Sequence, residues 1–591
     1  MFATILLAVL AGCGKDNPTD HGPDETPFSR DTTESFYLTM SDGVRLAVDL
    51  TIPEPLGDGG RVPTIIAMTR YWRADQDGGG HSVHWDWRKR AAARRGYAFL
   101  IIDERGTGAS FGVWPHPWPE SSFDDFAAVV DWVVAQDWSD GQVAPYGISY
   151  LGMAAQRMAA YGHPAVKAAV PAFTQYDLYT DIAYPGGIFN DTYVRSWHEE
   201  NELLDRNLMP GRQVKAVDAD TNGSLRAAAA SEHAANGNTY EGFREVEYRD
   251  RVSPLLGVSA DDISAHTRRA ALEQYGVPLY HWGSWLDQAN SHAGLTRFLT
   301  LDLPQVAVIG PWEHGGFAHA TPYGPSGQDP DPSQEEQWNQ VLAFLDSNLG
   351  IGGVPTSGKV LHYYTYGAEE WRTTDVWPVA GTTMESWYFE ADNTLVPSPP
   401  DTQEGSDLYA VDFTATTGEH TRWDGGVDYP DRRFEDLKLL TYTTAPLVED
   451  TEITGYPVVT LILRSTHSDG GFFVYLEDVD PNGRVTYLTE GELRGIHRKI
   501  STETPPFELV IPYHSFKEQD AEPLIPGEIA EISFGLLPIS VVIRAGHRIR
   551  VAVAGHDAGW FARVPEVGNP VITVMRNQAH PSGISLPVVR Q

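Results

Sequence analysis

Pro145-Tyr146-Gly147-Ile148-Ser149-Tyr150-Leu151-Gly152 sets a serine between glycines, after a short apolar strand and ahead of an alanine-rich helix. A serine held at so tight a strand-to-helix turn stands above the edge of a sheet. There its hydroxyl can attack a carbonyl, and the N–H of the next residue, Tyr150, can bind the oxyanion that forms. This is a nucleophile elbow, spelled G-x-S-x-x-G, with Leu151 where the second glycine of G-x-S-x-G usually falls. Glycine and serine also crowd ordinary turns, so the reading rests on what surrounds it.

Upstream, apolar runs at 36–39 and 44–52 flank the turn Ser41-Asp42-Gly43 and predict an antiparallel pair. Continuous apolar runs follow at 62–68, 97–102, 142–146, 166–172, 277–282 and 305–309, as suits parallel strands buried on both faces. Helical spacing appears at 124–135, through Phe126, Val129, Val130 and Val133, and at 150–161, closed by Gly162. Asp124 and Asp125 would open the first of these, where carboxylates suit the dipole. Eight strands with crossover helices predict a doubly wound α/β sheet over 32–174 and 275–352. Pro145 should then close its strand, because an interior proline removes a ladder donor.

Residues 175–274 interrupt the alternation with polar, mostly helical sequence. An insertion there, on the elbow's side of the sheet, predicts a cap that shapes substrate access. From 353 to 591 short alternating strands separated by Gly, Pro and Asp turns predict an all-β sandwich or jelly roll.

A hydrolytic serine needs a base to take its proton and an acid to hold that base in one tautomer. In α/β-hydrolases these follow the serine as acid, then histidine, on loops at later strand ends. Gly283-Ser284-Trp285-Leu286-Asp287 follows one apolar run, and Gly310-Pro311-Trp312-Glu313-His314-Gly315-Gly316 follows the next. Ser149, Asp287 and His314 therefore leave the same edge of the predicted sheet in the required order. His292 and His319 are rivals for the base; Glu313, adjacent to His314, is expected to face water. Asp103, in Asp103-Glu104-Arg105-Gly106, precedes the serine and reads as structural, bridged to Arg105. The second oxyanion donor usually comes from the loop after the third strand, here Thr69-Arg70-Tyr71-Trp72-Arg73. By position, Tyr71 serves equally as that donor or as a pocket aromatic.

Composition bounds partners and compartment. With 43 Lys and Arg against 80 Asp and Glu, the formal charge is -37, and no basic stripe exists to meet phosphates. A nucleic-acid partner is excluded on that ground. The single cysteine, Cys13, excludes an intramolecular disulfide and a cysteine metal cluster. It follows an apolar run, 1–10, far too short to span a bilayer. Leu10-Ala11-Gly12-Cys13 resembles a bacterial lipoprotein signal. This implies an export signal at 1–12, lipidation of Cys13, a polar tether at 13–31 and a place in the cell envelope. Membrane contact would be through that anchor alone; an ordinary cleaved signal would make the protein secreted. Asp478-Val479-Asp480-Pro481-Asn482-Gly483 opens like a calcium loop but has Thr489 at the twelfth position, so a hairpin turn is expected. His81 and His84 have no third ligand nearby, and neither metal nor cofactor is assigned.

In combination these motifs resemble the cocaine esterase and X-prolyl dipeptidyl-peptidase superfamily. Gly147–Gly152, 283–287, 310–314 and Asp103-Glu104-Arg105-Gly106 carry the likeness in the first half. Leu476-Glu477-Asp478-Val479-Asp480, Thr489-Glu490-Gly491 and 544–551 carry it in the second. The resemblance implies Ser149 as nucleophile, His314 as base, Asp287 as orienting acid, and the Tyr71 hydroxyl and Tyr150 N–H as oxyanion donors. It also implies a helical cap at 175–274. Related α-amino-acid ester hydrolases place acidic residues just after the catalytic acid to bind an ammonium, whereas this chain has Gln288-Ala289-Asn290. A buried ammonium left unpaired costs several kcal/mol. The expected substrate is therefore a small ester or amide with an uncharged, apolar or aromatic acyl part, with Trp72, Trp285 and Trp312 as pocket walls. The alternatives are X-prolyl dipeptidyl-peptidase activity and a non-catalytic, glycan-binding lipoprotein. The sequence does not speak to oligomeric state.

Overall fold

The computed structural model describes residues 28–77, 81–325 and 327–590, without the side chains of 81–84. The apolar run 1–10, Cys13, and the side chains of His81 and His84 lie outside the described residues. Arg30 and Asp31, expected in the tether, already belong to the first strand.

Strands β1 (Arg30–Thr39) and β2 (Arg45–Glu54) pair antiparallel along their whole length. β3 (Val62–Thr69), β4 (Ala98–Asp103), β5 (Ser139–Ile148) and β6 (Val170–Ala172) are parallel, in the order β4-β3-β5-β6, and β2 joins them through β4. A second set holds β7 (Leu279–Ser284), β8 (Gln305–Gly310), β9 (Lys359–Thr365) and β10 (Glu370–Thr374), with β10 antiparallel at the edge. The sets meet where Ala169 bridges Leu279 and the Tyr280 N–H donates to the Ala169 carbonyl at 3.0 Å. β3, β4, β7 and β8 are buried throughout, which explains their unbroken apolar sequence.

Helices α1 (His81–Arg95), α2 (Glu120–Val134) and α3 (Tyr150–Tyr161) lie between successive strands. The cap, between β6 and β7, holds α4 (Asp191–Asp205), α5 (Ser224–Glu232), α6 (Thr239–Arg244), α7 (Ala260–Ile263) and α8 (Arg269–Tyr275). α9 (Asn290–Thr300) and α10 (Gln334–Asn348) complete the first unit.

Two local expectations are corrected by the structure, on Pro145 and on Asp124 and Asp125. Pro145 lies inside β5, where it is the last residue of the ladder to β3 on one edge and directly precedes the ladder to β6 on the other, which starts at Tyr146. Asp124 and Asp125 sit one turn into α2, which begins at Glu120. Asp125 accepts from Arg105 and Asp124 from Tyr161. β9 and β10, just beyond the boundary expected at 353, continue the first sheet because β9 pairs with β8.

From Thr382–Glu390 to Gly583–Val589 the strands form the all-β unit. Gly471–Val479 pairs with Val485–Arg494 and with Arg548–Ala554. The calcium-like segment is the turn of the first pair, closed by the Asp480 N–H on the Arg484 carbonyl (3.0 Å), with Gly483 at φ 82°. Such a turn requires the left-handed region, which glycine adopts without strain.

Candidate active site

Ser149 joins β5 to α3 at φ 62° and ψ -124°, a conformation costing a non-glycine residue about 1–3 kcal/mol. Its N–H donates to the Ala172 carbonyl at the end of β6 (2.8 Å), and its carbonyl accepts the first intrahelical bond, from Met153 (3.0 Å). The N–H groups of Tyr150, Leu151 and Gly152 precede that bond, where a helix N-terminus favours negative charge. Packing accounts for both glycines. A β-carbon at Gly147 would lie 2.3 Å from the Leu151 carbonyl, and one at Gly152 2.5 Å from that of Ala172. The second glycine falls one residue late because that is where α3 meets β6.

The residue after the serine is clamped from beneath. The Tyr150 hydroxyl accepts from Trp114 Nε1 (3.1 Å) and the Trp118 N–H (3.2 Å), and donates to Glu104 Oε2 (2.6 Å). Its ring stacks on Trp118 with centroids 4.6 Å apart. Glu104 also accepts from the Ser122 hydroxyl (2.5 Å); burial raises its pKa against the pull of these two donors. Asp103 pairs with Arg73 (2.8 Å), and Arg105 with Asp125 and Asp42 (both 2.6 Å), in place of the expected Asp103–Arg105 bridge. The Asp103-Glu104-Arg105 turn therefore braces the elbow, a role of Glu104 that the sequence reading missed.

Asp287, fully buried after β7, accepts from His314 Nδ1 at 2.8 Å and from the Asn290 side-chain amide through one oxygen, Oδ2. Phe173, which follows the carbonyl anchoring Ser149, packs edge-on against the His314 ring, centroids 6.0 Å apart. Burial alone would lower the His314 pKa, but the charge and hydrogen bond of Asp287 outweigh it and the net shift is upward. The rivals sit elsewhere. His292 contacts the Tyr456 hydroxyl (3.1 Å), with burial taking its pKa to about 4, and His319 bridges to Trp312 and Gln328. Glu313, expected to face water, accepts from the Val427 N–H of the β domain (3.3 Å).

Tyr71 follows β3 and its N–H donates to Thr69 Oγ1 (2.9 Å). Its hydroxyl oxygen accepts from Trp197 Nε1 of α4 (2.8 Å), and its ring stands edge-on to Tyr150 at 6.0 Å. Burial pushes the Tyr71 pKa far up, so the phenol keeps its proton. An apolar cavity of ≈ 50 Å³ opens beside the serine, lined by Tyr71, Trp118, Ser149, Tyr150, Trp197 and Phe243 among others.

The three expected pocket tryptophans do not line that cavity. Trp72 is buried against Leu204 and Val214, its Nε1 donating to the Leu204 carbonyl (3.1 Å). Trp285 donates to the Tyr364 carbonyl (2.7 Å) and packs on Trp377, while Trp312 packs on Phe173 and Trp371. Successive side chains in a tight loop point in different directions, and these three are buried in the core. Trp118 and Trp197 form the walls instead. The Trp114-Pro115-His116-Pro117-Trp118 loop offered a signal for the first; nothing in α4 marks the second.

Elsewhere, Asp177, Asp261 and His266 bring three potential metal-ligand atoms within 4.8 Å of one another. Arg249 donates to both carboxylates, at 2.5 and 3.3 Å, and offsets one of their two charges.

Residues 42–316 match the X-Pro dipeptidyl-peptidase (S15) family and 353–580 match the X-Pro dipeptidyl-peptidase C-terminal non-catalytic domain, which takes in β9 and β10. A Mycobacterium bovis protein named as a serine esterase is 41% identical over 608 residues, covering 94% of this chain and 95% of that one. The chain belongs to the S15 family and is a serine hydrolase. The S15 hydrolase is also 27% identical to the cocaine esterase of a Rhodococcus species over 94% of its own chain and 98% of that one. Among solved structures it shares its fold with an α-amino-acid ester hydrolase (TM-score 0.69, 20% identity, 97% and 100% of the two chains). An aminopeptidase of a marine-sediment thaumarchaeon is similar too, at TM-score 0.70, 20% identity and 98% and 100% coverage. Such distant likenesses show fold alone.

Proposed function

We propose that the S15 hydrolase cleaves esters of a small, uncharged, apolar or aromatic acyl group through Ser149, His314 and Asp287. In this reading Ser149 Oγ attacks the acyl carbonyl while His314 Nε2 takes its proton. Asp287 keeps the Nδ1–H tautomer and stabilises the imidazolium. The oxyanion is held by the Tyr150 N–H at the start of α3 and by the Tyr71 hydroxyl. Trp197 already donates to the Tyr71 oxygen, which supports a phenolic proton turned toward another acceptor. The tetrahedral adduct collapses as the imidazolium protonates the leaving group, and water then attacks the acyl-enzyme by the same route.

One observation carries the substrate preference: among the described residues lining the cavity beside Ser149, none is acidic. At the two positions after Asp287 that could have carried carboxylates, Gln288 instead meets the Gln175 side chain (3.3 Å) and Asn290 donates to Asp287 itself. A substrate ammonium would find no counter-charge there, and burying it unpaired is costly. The non-catalytic glycan-binding alternative falls away with membership of an enzyme family.

Initial rates on p-nitrophenyl acetate, butyrate and benzoate, and on Gly-Pro and Ala-Pro p-nitroanilides, test this, with Ser149→Ala as control. Fast Ser149-dependent ester turnover with silent anilides is expected. Ser149-dependent release from the anilides at comparable kcat/KM would give the site to dipeptides and overturn the acyl preference.

A further inference from the structure

Asp287 and His314 sit on loops of the α/β unit, yet both loops are tied to one short stretch of the all-β unit, Thr421 to Val427. Arg422 is fully buried. Its Nε donates to the Gln288 carbonyl (2.9 Å) and its Nη2 to the Trp285 carbonyl (2.5 Å). These two carbonyls bracket Asp287, one residue after it and two before. The contact is reciprocal, since the Gln288 N–H donates back to the Arg422 carbonyl (2.7 Å). Gln288 stands at φ 45°, a strained conformation for a side-chain-bearing residue that needs such support to persist. Three residues on, the Gly425 carbonyl accepts the His314 N–H (3.0 Å), and the Val427 N–H donates to Glu313. Gly425 is at φ 93°, and a β-carbon there would come 3.4 Å from that of His314.

The stretch is itself anchored in the β sheet. The Arg422 N–H donates to the Tyr429 hydroxyl (2.9 Å), and Nη1 reaches Tyr487 Oη and Thr489 Oγ1 (both 3.3 Å). Trp423 Nε1 donates to Glu490 (2.5 Å), and the Tyr429 and Tyr487 rings stack at 4.0 Å. A buried guanidinium is tolerated only where its donors are met, and here two of the partners are the carbonyls flanking the catalytic acid.

We infer that Arg422 and the 421–427 stretch are positioning elements for catalysis: the domain outside the hydrolase sheet sets the distance and angle between Asp287 and His314. The inference rests on the triad reading above. A misplacement of about 1 Å between catalytic groups can cost about a hundredfold in rate.

The test compares Arg422→Met and Arg422→Lys with Arg432→Met, which removes an equally buried arginine of the β unit that pairs with Glu477 (3.2 Å). Expected are a kcat about a hundredfold lower for Arg422→Met with KM within about threefold of wild type, and partial recovery in Arg422→Lys. Arg432→Met should lower Tm yet keep kcat within about threefold. Millimolar methylguanidinium should restore part of the rate of Arg422→Ala. Folded Arg422 variants with wild-type kcat, or an Arg432→Met variant that loses as much, would overturn the inference. Glu313→Ala, at a half-exposed side chain, keeps the test decisive if the Arg422 variants do not fold. It should lower kcat about fivefold at constant KM, and an unchanged kcat would refute the inference. Ser149→Ala is measured alongside: if it stays active the triad reading fails, and if it is dead while Arg422 variants are not, only this inference fails.

Discussion

The serine and its two partners are held in different ways. Ser149 is braced wholly within the α/β unit: by Ala172 at the end of β6, by the start of α3, and through Tyr150 by Glu104, Trp114 and Trp118. Asp287 and His314 are braced across the boundary, by Arg422, Gly425 and Val427. In the proposed mechanism, the nucleophile and its oxyanion donors thus depend on packing within the α/β unit, while the acid–base pair depends on how two units dock. Lesions near the elbow should damage the site with docking intact; lesions in the β unit should detune the pair and leave the elbow nucleophilic.

The largest effect probes the shared centre. Ser149→Ala should lower kcat on the order of a million-fold in the ester assay, since removal of the nucleophile disables a triad that acts as a unit. Asp287→Asn comes next, at about ten-thousand-fold, because an asparagine can hold the imidazole in the wrong tautomer. Asp287 also raises the His314 pKa. Wild-type kcat/KM should therefore rise with pH through a midpoint above the usual histidine value of 6.5, as the base must be neutral. The midpoint should move down in Asp287→Asn. A midpoint that stays put would mean Asp287 orients His314 without tuning it. On the elbow's side, Tyr71→Phe should cost about a hundredfold in kcat if its hydroxyl meets the oxyanion. A rate within a few-fold of wild type would make Tyr71 a wall of the cavity.

The two halves of the site also differ in how legible they were. Ser149, Asp287 and His314 were expected at the ends of apolar strands, and they follow β5, β7 and β8, with His314 hydrogen-bonded to Asp287. Side-chain direction is another matter. Trp72, Trp285 and Trp312 stand in the same loops but point into the core, since a tight turn reverses direction within a residue or two. Pro145 misled for a related reason: the two edges of a central strand can pair over different stretches, and a proline fits where one ladder ends. β9 and β10 read like the strands after them, and only their pairing with β8 assigns them to the first sheet. Arg422 had no local signal at all. It lies 134 residues from Gln288, and nothing short of the docked units shows that its guanidinium closes on the loop of Asp287.

The smallest effect sharpens the local half of the comparison. Glu104 is buried and accepts from two hydroxyls, and Tyr150 cannot turn its proton elsewhere because Trp114 and Trp118 already donate to its oxygen. A glutamine can keep that bond with its carbonyl and offer its amide to Ser122, whose hydroxyl can rotate to accept. Glu104→Gln should therefore hold kcat within about threefold. Its consequence lies in stability. Burial raises the Glu104 pKa above its unfolded value. Its contribution to folding is then complete below the unfolded value near 4.5 and is lost as pH rises through the folded one. Glutamine has no proton to lose, so between pH 5 and 8 the Tm of Glu104→Gln should fall less than that of wild type. Parallel Tm–pH curves would mean that the two hydroxyls keep Glu104 ionised, and that a buried carboxylate rather than a carboxylic acid props the residue after the nucleophile.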